Sequence, residues 1–361
     1  MQILPTVLPA VEPLSGLPSD AAAPTAALYP RIRYMGSKHR LLPHLAAVFA
    51  EVGGQTALDA FSGSGVVSYL LKRQGFTVTA NDMLGFPGVL AAATVANNST
   101  RLTAADVARI TGPAADNRDF IRNTFTGVFF SPDDLAFLDS AWSHISLMNG
   151  DKRALAISAL ILSAARKQPR GVFTISGDLS SYDDGRRDLR LPMRDHFVEH
   201  VNDYNRAVFS GPPARVTRQE ASQLEARPYD VVYLDPPYAP PSDDNCYIKR
   251  FHFLEGLSRY WEGDTLMVDT LTKKLPKPIT GYSSKRTIIE AFRDTFKRFK
   301  DAKAIVLSYG SNALPDKKMI TTLLREVKPE VEVRAIPHTY HYGTHRAASR
   351  RSVDEYIFIA R

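Results

Sequence analysis

Apolar residues recur along the chain with two different spacings, which separate predicted helices from predicted strands. Helical spacing over 41–52 closes at two glycines, a common helix stop. The short apolar run 56–61 ends in small residues, which indicates a buried strand. A helix over 66–74 and a second strand over 77–80 follow. This strand–glycine turn–helix–strand order predicts a βαβ unit and therefore a parallel sheet with a right-handed crossover.

The pattern changes in the middle of the chain and returns near its end. From about 96 to 211 polar residues increase, and helical stretches such as 154–167 alternate with loops. Strand-like segments then reappear, and a basic helical stretch, 285–300, lies among them. The later strands are predicted over 230–234, 304–309, 331–336 and 356–360. The pattern favours one doubly wound α/β domain interrupted by an insertion.

Domain boundaries follow from these changes. Residues 1–28 are rich in Pro and Ala without periodicity, which predicts a flexible tail. We expect a catalytic domain formed by 29–96 and 212–361. Residues 97–211 are expected to form the inserted domain.

Composition narrows the class of protein. Hydrophobic residues at 44% and charged residues at 23% of the 361 exclude a mainly disordered, collagen-like or coiled-coil chain. A net charge of +7 favours an acidic partner, although a basic surface without such a partner stays open. Cys246 is the only cysteine, which excludes intrachain disulfides and fits a cytoplasmic location. The sequence has no apolar run of about 18 residues, so no membrane span is expected.

The segment Asp235-Pro236-Pro237-Tyr238 directly follows a predicted strand, where ligands bind in open parallel sheets. Two prolines stiffen this corner and remove two backbone donors. It suits a flat ligand with an amino group: Asp235 and the Pro236 carbonyl can accept its hydrogens, while Tyr238 stacks on the ring. Accepting both hydrogens localises the nitrogen lone pair and makes it nucleophilic. The alternative is a proline-rich strand end with an ordinary turn.

A glycine turn and an acidic strand end point to a nucleoside ligand. The turn runs from Asp59 through Phe61 and Gly63 to Gly65, and Ser68 stands where a third dinucleotide-binding glycine would be. A two-phosphate cofactor is therefore disfavoured, and a purely structural turn stays open. Asp82 closes the next strand, where a carboxylate can accept ribose hydroxyls or simply cap a helix. An activated nucleoside that donates a group to an amine fits, and S-adenosylmethionine is such a cofactor.

The segment Tyr34-Met35-Gly36-Ser37-Lys38 lies just upstream of the predicted sheet. Lys38 can neutralise the carboxylate of the cofactor's methionine, and Tyr34 can cover the cofactor. Alone, the segment would read as a basic surface loop, since Arg31 and Arg33 precede it.

These segments, in this order, resemble the Dam-like (D12 class), alpha-ordered adenine-specific DNA methyltransferases. The resemblance spans about 29–361 except the inserted region, and Ser37 departs from the glycine of Dam itself. It implies a Rossmann-like, S-adenosylmethionine-dependent fold, with a target-recognition domain inserted before the Asp-Pro-Pro-Tyr motif. It also implies that Tyr34, Lys38, Asp82 and Asp235 contact the cofactor or lie in the active site.

Further residues are candidates for DNA contact or for the walls of the site. Glu220 could approach the cofactor adenine, and 308–312 resembles a wall of the adenine pocket. The histidines His338, His341 and His345 are expected to contact phosphate rather than metal, and we expect no metal site. The residues predicted to contact DNA are Arg166, Lys167, Arg170, Arg186, Arg187, Arg190, Lys249 and His252. The last two lie in a stretch that mixes cations and aromatics, as a loop that clamps a flipped nucleotide would, and packing of Phe251 and Phe253 is the open alternative.

The expected function is site-specific methyl transfer from S-adenosylmethionine to adenine N6 in double-stranded DNA, after the base leaves the helix stack. Restriction–modification or orphan methylation would be its setting, with a cognate endonuclease as candidate partner and a monomer as the expected state. Three alternatives stay open: an RNA adenine-N6 methyltransferase, a DNA-binding relative without catalysis, and a cytosine-N4 methyltransferase. The last generally carries Ser at the Asp235 position.

Overall fold

The protein is described by a computed structural model that covers residues 25, 27–169, 171–174, 185–238, 246–341 and 350–361. Most of the predicted flexible tail, 1–24 and 26, lies outside the described residues. Thr25 is buried, and its carbonyl accepts a hydrogen bond from the Tyr29 amide at 3.0 Å. The described structure therefore includes residues on the N-terminal side of the predicted boundary at Tyr29.

The described residues form a seven-stranded sheet with the spatial order β3-β2-β1-β4-β5-β7-β6. The first five strands are parallel, and β7 runs antiparallel to both β5 and β6. The predicted α/β class with a mostly parallel sheet is confirmed. The strands are β1 Thr56–Asp59, β2 Thr77–Asp82, β3 Arg215–Arg218, β4 Val231–Leu234, β5 Ala304–Gly310, β6 Val331–His341 and β7 Arg350–Ala360.

Twelve α-helices surround this sheet in the described part of the chain. A π-helical turn, Ala92–Ala96, continues the third of them. They are α1 Leu42–Val52, α2 Val66–Arg73, α3 Gly85–Ala91, α4 Ala104–Ile110, α5 Phe120–Phe125, α6 Pro132–Ile145, α7 Gly150–Arg166, α8 Arg187–Arg190, α9 Met193–Ala207, α10 Tyr247–Leu257, α11 Ile288–Arg298 and α12 Lys317–Arg325.

Most predicted boundaries differ from the structure by a few residues, and the last two strands differ most. The prediction ended one strand at 336 and began the next at 356, whereas β6 reaches His341 and β7 starts at Arg350. The two strands pair antiparallel as far as His341 opposite Arg350. Backbone pairing therefore continues beyond the apolar alternation on which the prediction depended.

Both faces of the sheet are covered, which explains why its central strands are apolar throughout. Ala57 and Val231 belong to one apolar cluster, together with residues of α1 and α2. Their neighbours Leu58 and Val232 belong to a second cluster, with residues of α11 and α12. Alternate residues thus enter opposite cores, and the strands end at one common edge.

A third apolar cluster fills the helical layer formed mainly by α4 to α10. It includes Trp142 and Phe197 from the predicted insertion. It also includes Phe251 and Trp261, which follow β4 in the chain. The division into 29–96 with 212–361 and an inserted domain 97–211 stays a prediction, and the core of this layer draws on residues from both parts.

A buried lysine joins the two points where the chain leaves and rejoins the sheet region. Lys72 on α2 donates hydrogen bonds to the carbonyls of Asn97 at 2.8 Å and Phe209 at 3.1 Å. Burial lowers the pKa of Lys72 to about 8. One side chain thus connects both ends of the stretch between β2 and β3, called the excursion below. None of the described helices is both long enough and apolar enough to cross a lipid bilayer.

Candidate active site

A cavity opens at the carboxyl ends of β1, β2 and β4 and brings together the segments singled out from the sequence. Such an edge is where open α/β sheets bind their ligands. Gly65 and Pro236 are immediate sequence neighbours of residues that line the cavity. The predicted residues that line the cavity are Tyr34, Lys38, Asp59, Phe61, Gly63, Asp82, Asp235, Pro237 and Tyr238.

The glycine turn after β1 has a backbone that only glycine adopts easily. Gly63 and Gly65 have φ values of +48° and +81°. A Cβ atom at Gly63 would lie 2.9 Å from the ring of Tyr34, and one at Gly65 would lie 2.5 Å from the Tyr29 hydroxyl oxygen. The turn therefore leaves no room for side chains where it meets Tyr34. Phe61, in the same turn, packs edge-to-face on Tyr282 at 5.4 Å.

Asp59 ends β1 as a buried carboxyl group beside the cavity. Its Oδ2 accepts a hydrogen bond from the Ser68 hydroxyl at 2.6 Å, so the residue in the third-glycine position orients this acid. Its Oδ1 accepts no hydrogen bond from any described residue. Burial raises the pKa of Asp59 to about 7, even though the Ser68 bond lowers it. A cationic or hydrogen-donating ligand would satisfy the remaining oxygen.

Asp82 ends β2 and holds the glycine turn from the other side. Its Oδ2 accepts from the Gly63 amide and its Oδ1 from the Leu84 amide, both at 2.9 Å. Burial raises the pKa of Asp82 to about 6. Each oxygen keeps a second lone pair for a ribose hydroxyl, and the predicted ribose contact stays a prediction.

Lys38 forms an ion pair with Asp235 in addition to a hydrogen bond with a backbone carbonyl. Its Nζ lies 2.8 Å from Asp235 Oδ1 and donates to the Gly36 carbonyl at 2.8 Å. The Ser308 hydroxyl also donates to Asp235 Oδ1, at 3.3 Å. Burial raises the pKa of Asp235, and the Lys38 ammonium opposes this rise. The predicted contact of Lys38 with a methionine carboxylate stays a prediction beside this observed ion pair.

Tyr238 is held by residues of β5 and β7. Its hydroxyl donates to Glu355 at 3.3 Å, and its ring packs edge-to-face on Tyr309 at 4.8 Å. A Cβ at Gly310 would lie 3.3 Å from the Tyr238 ring. The predicted wall 308–312 is therefore adjacent to the Asp-Pro-Pro-Tyr corner.

Sequence reasoning missed Glu355. This buried acid lies in β7, which pairs with β5 so that Glu355 is opposite Gly310. A charged residue directly before the apolar run 356–360 was the available signal. Its partner Tyr238 is more than a hundred residues away, so local pattern gave no reason to join them.

An aromatic cluster packs beside the glycine turn, and two of its members, Tyr34 and Tyr247, line the cavity. The ring of Tyr34 stacks on Phe251 with centroids 5.0 Å apart and lies 5.5 Å from the ring of Tyr247. The Tyr247 hydroxyl donates to the Met35 carbonyl at 3.2 Å. These contacts fix Tyr34 over Gly63, where it can cover a bound ligand. Glu220, the proposed adenine neighbour, also lines the cavity.

The prediction that His252 contacts DNA is wrong. The side chain is fully buried, and its Nε2 lies 2.9 Å from the Phe173 carbonyl oxygen. Burial lowers the pKa of His252 to about 4. The residue lies in α10, which packs inside the helical layer, whereas the prediction placed it in a loop.

Two further DNA candidates already have protein partners. Lys167 Nζ lies 3.0 Å from Asp134 Oδ2 and donates to the Leu191 carbonyl at 2.6 Å. Arg166 lies 3.7 Å from Asp188. Their ammonium and guanidinium groups stabilise contacts between helices, and their DNA contacts stay predictions.

The remaining DNA candidates are spread over the surface of the same layer. Arg186 donates to the Pro169 carbonyl at 2.8 Å, and Arg187 pairs with Glu199. Arg190 is exposed and Lys249 is half-buried. Arg170, His345 and the side chains of His338 and His341 lie outside the described residues. Within the described ranges, no group of three or more His, Cys, Asp or Glu residues could hold a metal ion.

Comparison with known proteins gives one family and two relatives. Residues 34–122 match the model of the D12 class N6 adenine-specific DNA methyltransferases. The chain is 29% identical over 328 residues to the Type II methyltransferase M2.HphI of Haemophilus parahaemolyticus, covering 86% of this chain and 92% of that protein. It is 25% identical over 357 residues to the Modification methylase StsI of Streptococcus sanguinis, covering 91% of this chain. It spans about half (51%) of that second relative.

Proposed function

We propose that this chain, which carries a D12 class N6 adenine-specific DNA methyltransferase domain, transfers a methyl group from S-adenosylmethionine to adenine N6 in double-stranded DNA. One observation carries the proposal. Asp235, the acid of the Asp-Pro-Pro-Tyr corner, lines the same cavity as the glycine turn and Asp82. A nucleoside donor and an exocyclic amine can therefore meet in one cavity.

We infer S-adenosylmethionine as the cofactor from the chemistry of the residues that line the cavity. Bound there, this cofactor would supply an activated methyl group on a sulfonium. The glycine turn packs closely under the ring of Tyr34, which also lines the cavity, and Asp59 offers an unsatisfied buried oxygen to a cationic or donor group. Asp82 and Tyr34 both line the cavity, and in this proposal Asp82 would accept the ribose hydroxyls while Tyr34 would cover the bound molecule.

Asp235 and its neighbours orient the target amine. Because Lys38 and Ser308 both contact Oδ1, the other oxygen of Asp235 is the one that can accept an amino hydrogen. The Pro236 carbonyl would accept the second hydrogen, and the Tyr238 ring would stack on the base, contributing about 1–3 kcal/mol. With both hydrogens held, the nitrogen lone pair faces the methyl donor. The methylated nitrogen is strongly acidic and releases its proton to Asp235 or water.

The target adenine has to leave the duplex before it reaches this corner, because its amino group is paired inside the helix. The two relatives are named as a Type II methyltransferase and a modification methylase. These names support methylation within a restriction–modification pair, so a cognate endonuclease is the proposed partner. We further propose that the enzyme acts as a monomer in the cytoplasm.

The test compares Asp235→Asn with the unmodified protein. Asparagine keeps the shape of the side chain but lacks the carboxylate charge that orients the amine. We expect transfer of tritiated methyl groups to DNA to be abolished, while isothermal titration still detects cofactor binding. Turnover like that of the unmodified protein would reject the mechanism.

The same assay separates the alternative substrates. We expect incorporation into double-stranded DNA and none into ribosomal RNA. Mass spectrometry of digested DNA should show N6-methyladenine and no N4-methylcytosine. Single-molecule sequencing of DNA from expressing cells then reports the recognition sequence.

A further inference from the structure

A short strap, residues 275–282, forms part of the wall of the cavity. At one end Leu275 is buried in the core of the helical layer. At the other end Tyr282 is buried in the core on one face of the sheet. Between these anchors, Lys277, Pro278 and Thr280 line the cavity. The strap therefore joins two layers of the protein and contributes to the cavity of the proposed active site.

The middle of the strap presents an apolar side chain to solvent. Ile279 is 92% exposed, more than any other large apolar residue that the structure describes. Its chain neighbours Pro278 and Thr280 both line the cavity, so Ile279 is at the rim. An isoleucine here gains none of the roughly 1.5–3 kcal/mol that burial would provide, which favours a partner that covers it.

The backbone that carries Ile279 is held in place. Thr280 and Ser283 form a capping box, with the Thr280 amide donating to Ser283 Oγ at 3.0 Å. The Tyr282 hydroxyl lies 2.8 Å from the Thr295 hydroxyl oxygen. The isoleucine is therefore projected outward by anchored neighbours on its C-terminal side.

The positive charge of residues 270–287, which include the strap, favours a polyanionic partner. Residues 270–287 contain five cationic residues and no acidic ones. Leu271, in the same stretch, is 82% exposed. Apolar tips surrounded by cations suit a polyanion whose interior is apolar, as in stacked DNA bases between phosphate backbones. The cationic residues are Lys273, Lys274, Lys277, Lys285 and Arg286.

We propose that the strap docks on duplex DNA, with Ile279 inserted into the space that the target adenine vacates. The cations of 270–287 contact the flanking phosphates. This inference rests on the proposed function, because it requires a duplex whose adenine enters the cavity that the strap helps to line. Apolar side chains that fill a gap in the stack stabilise the extrahelical state of a base.

The test uses Ile279→Ala with Leu147→Ala as its matched control. Leu147 is 74% exposed, in the turn that follows α6. Single-turnover methyl transfer is measured on a duplex containing the recognised sequence, with the target adenine opposite thymine. A second duplex places an abasic site opposite the same adenine, which removes its pairing.

On the paired duplex we expect Ile279→Ala to lower the rate on the order of tenfold, as the lost apolar contact implies. On the abasic duplex the rate should return to that of the unmodified protein. A duplex with 2-aminopurine at the target position should give weaker fluorescence enhancement with Ile279→Ala. Leu147→Ala should match the unmodified protein throughout.

Two results for Ile279→Ala would contradict the proposed insertion: an unchanged rate on the paired duplex, or an equal loss of rate on both duplexes. Either result would leave the proposed methyltransferase activity standing. Failure of the unmodified protein to methylate any duplex would reject the activity itself, and the insertion with it.

Discussion

Lys38 Nζ lies 2.8 Å from Asp235 Oδ1 and joins the first and last of the segments that define the cavity. Both side chains are largely buried, so their attraction is screened less than that of a surface pair. The pair holds the proposed catalytic carboxylate in the orientation that leaves Oδ2 for the target amine. It also counteracts the rise in the pKa of Asp235 that burial causes.

Removing this cation should change the pH dependence of methylation. In Lys38→Gln the pKa of Asp235 rises further, because burial acts without the opposing ammonium. Since the ionised carboxylate orients the amine, activity is lost at higher pH than in the unmodified protein. At a fixed pH on the acidic limb, kcat/KM falls about tenfold for every pH unit by which the limb moves upward.

The measurement is a pH profile of kcat/KM under saturating cofactor. The matched control is Lys300→Gln, an exposed lysine after α11. An acidic limb at the same pH in Lys38→Gln and the control would contradict the role given to the ion pair.

The hydrogen bond between Tyr238 and Glu355 should tune binding of the target base. Tyr238→Phe keeps the ring but loses the hydroxyl contact, so KM for DNA should rise about five- to tenfold, as expected for a bond of about 1–1.5 kcal/mol. Tyr238→Ala also removes the stacking surface and should reduce kcat/KM more strongly. Tyr356→Phe, on the same strand as Glu355, is the control. Equal effects of Tyr238→Phe and Tyr356→Phe would argue against this contact.

Adding one methyl group to the glycine turn should block cofactor binding. In Gly63→Ala the new Cβ meets the Tyr34 ring at 2.9 Å, in addition to the strain of φ +48°. Gly75→Ala is the matched control, because Gly75 has φ +88° with open space around its Cα. Both variants should lose about 1 kcal/mol of stability through backbone strain, and Gly63→Ala should lose more because its Cβ also displaces the Tyr34 ring. Only Gly63→Ala should lose S-adenosylmethionine binding in isothermal titration, and normal binding there would contradict the proposed cradle.

Cofactor binding should tighten as the pH rises from about 6 to 8. Burial raises the pKa of Asp59 to about 7 and that of Asp82 to about 6, so both carboxyl groups lose protons near or below neutral pH. S-adenosylmethionine carries positive charge and favours the ionised forms, so binding should release protons.

Titrations in buffers of different ionisation enthalpy measure that release. Asp59→Asn should abolish most of it, while the exposed-residue variant Asp301→Asn should not change it. Affinity that is independent of pH in the unmodified protein would reject the coupling.

Local sequence patterns were sufficient for the parts of the site that lie within one βαβ unit. The glycine turn, Asp59 and Asp82 are close together because adjacent parallel strands end at one edge. Partners separated by long stretches of chain were not predictable in the same way. Nothing in the sequence around these residues indicates that Lys38 pairs with Asp235 or that Tyr238 pairs with Glu355.

At His252, by contrast, the local sequence pattern led to a wrong prediction. It lies among Lys249, Phe251 and Phe253, and this mixture of cations and aromatics indicated a loop that contacts nucleic acid. In the fold the segment is helix α10, whose buried residues run continuously from Phe251 to Leu257. A helix covered on nearly all sides has no clear apolar stripe, so periodicity could not separate core from surface.

The bridge from Lys72 to Asn97 and Phe209 has a consequence for exchanging the stretch between β2 and β3 with that of a related protein. Both ends of the excursion meet at a single ammonium, so a segment from another protein could be spliced at these two points without moving the sheet. The spliced segment would nevertheless face Phe251 and Trp261, which belong to the recipient. A working chimera therefore has to keep an apolar surface on the exchanged segment that packs against these two side chains.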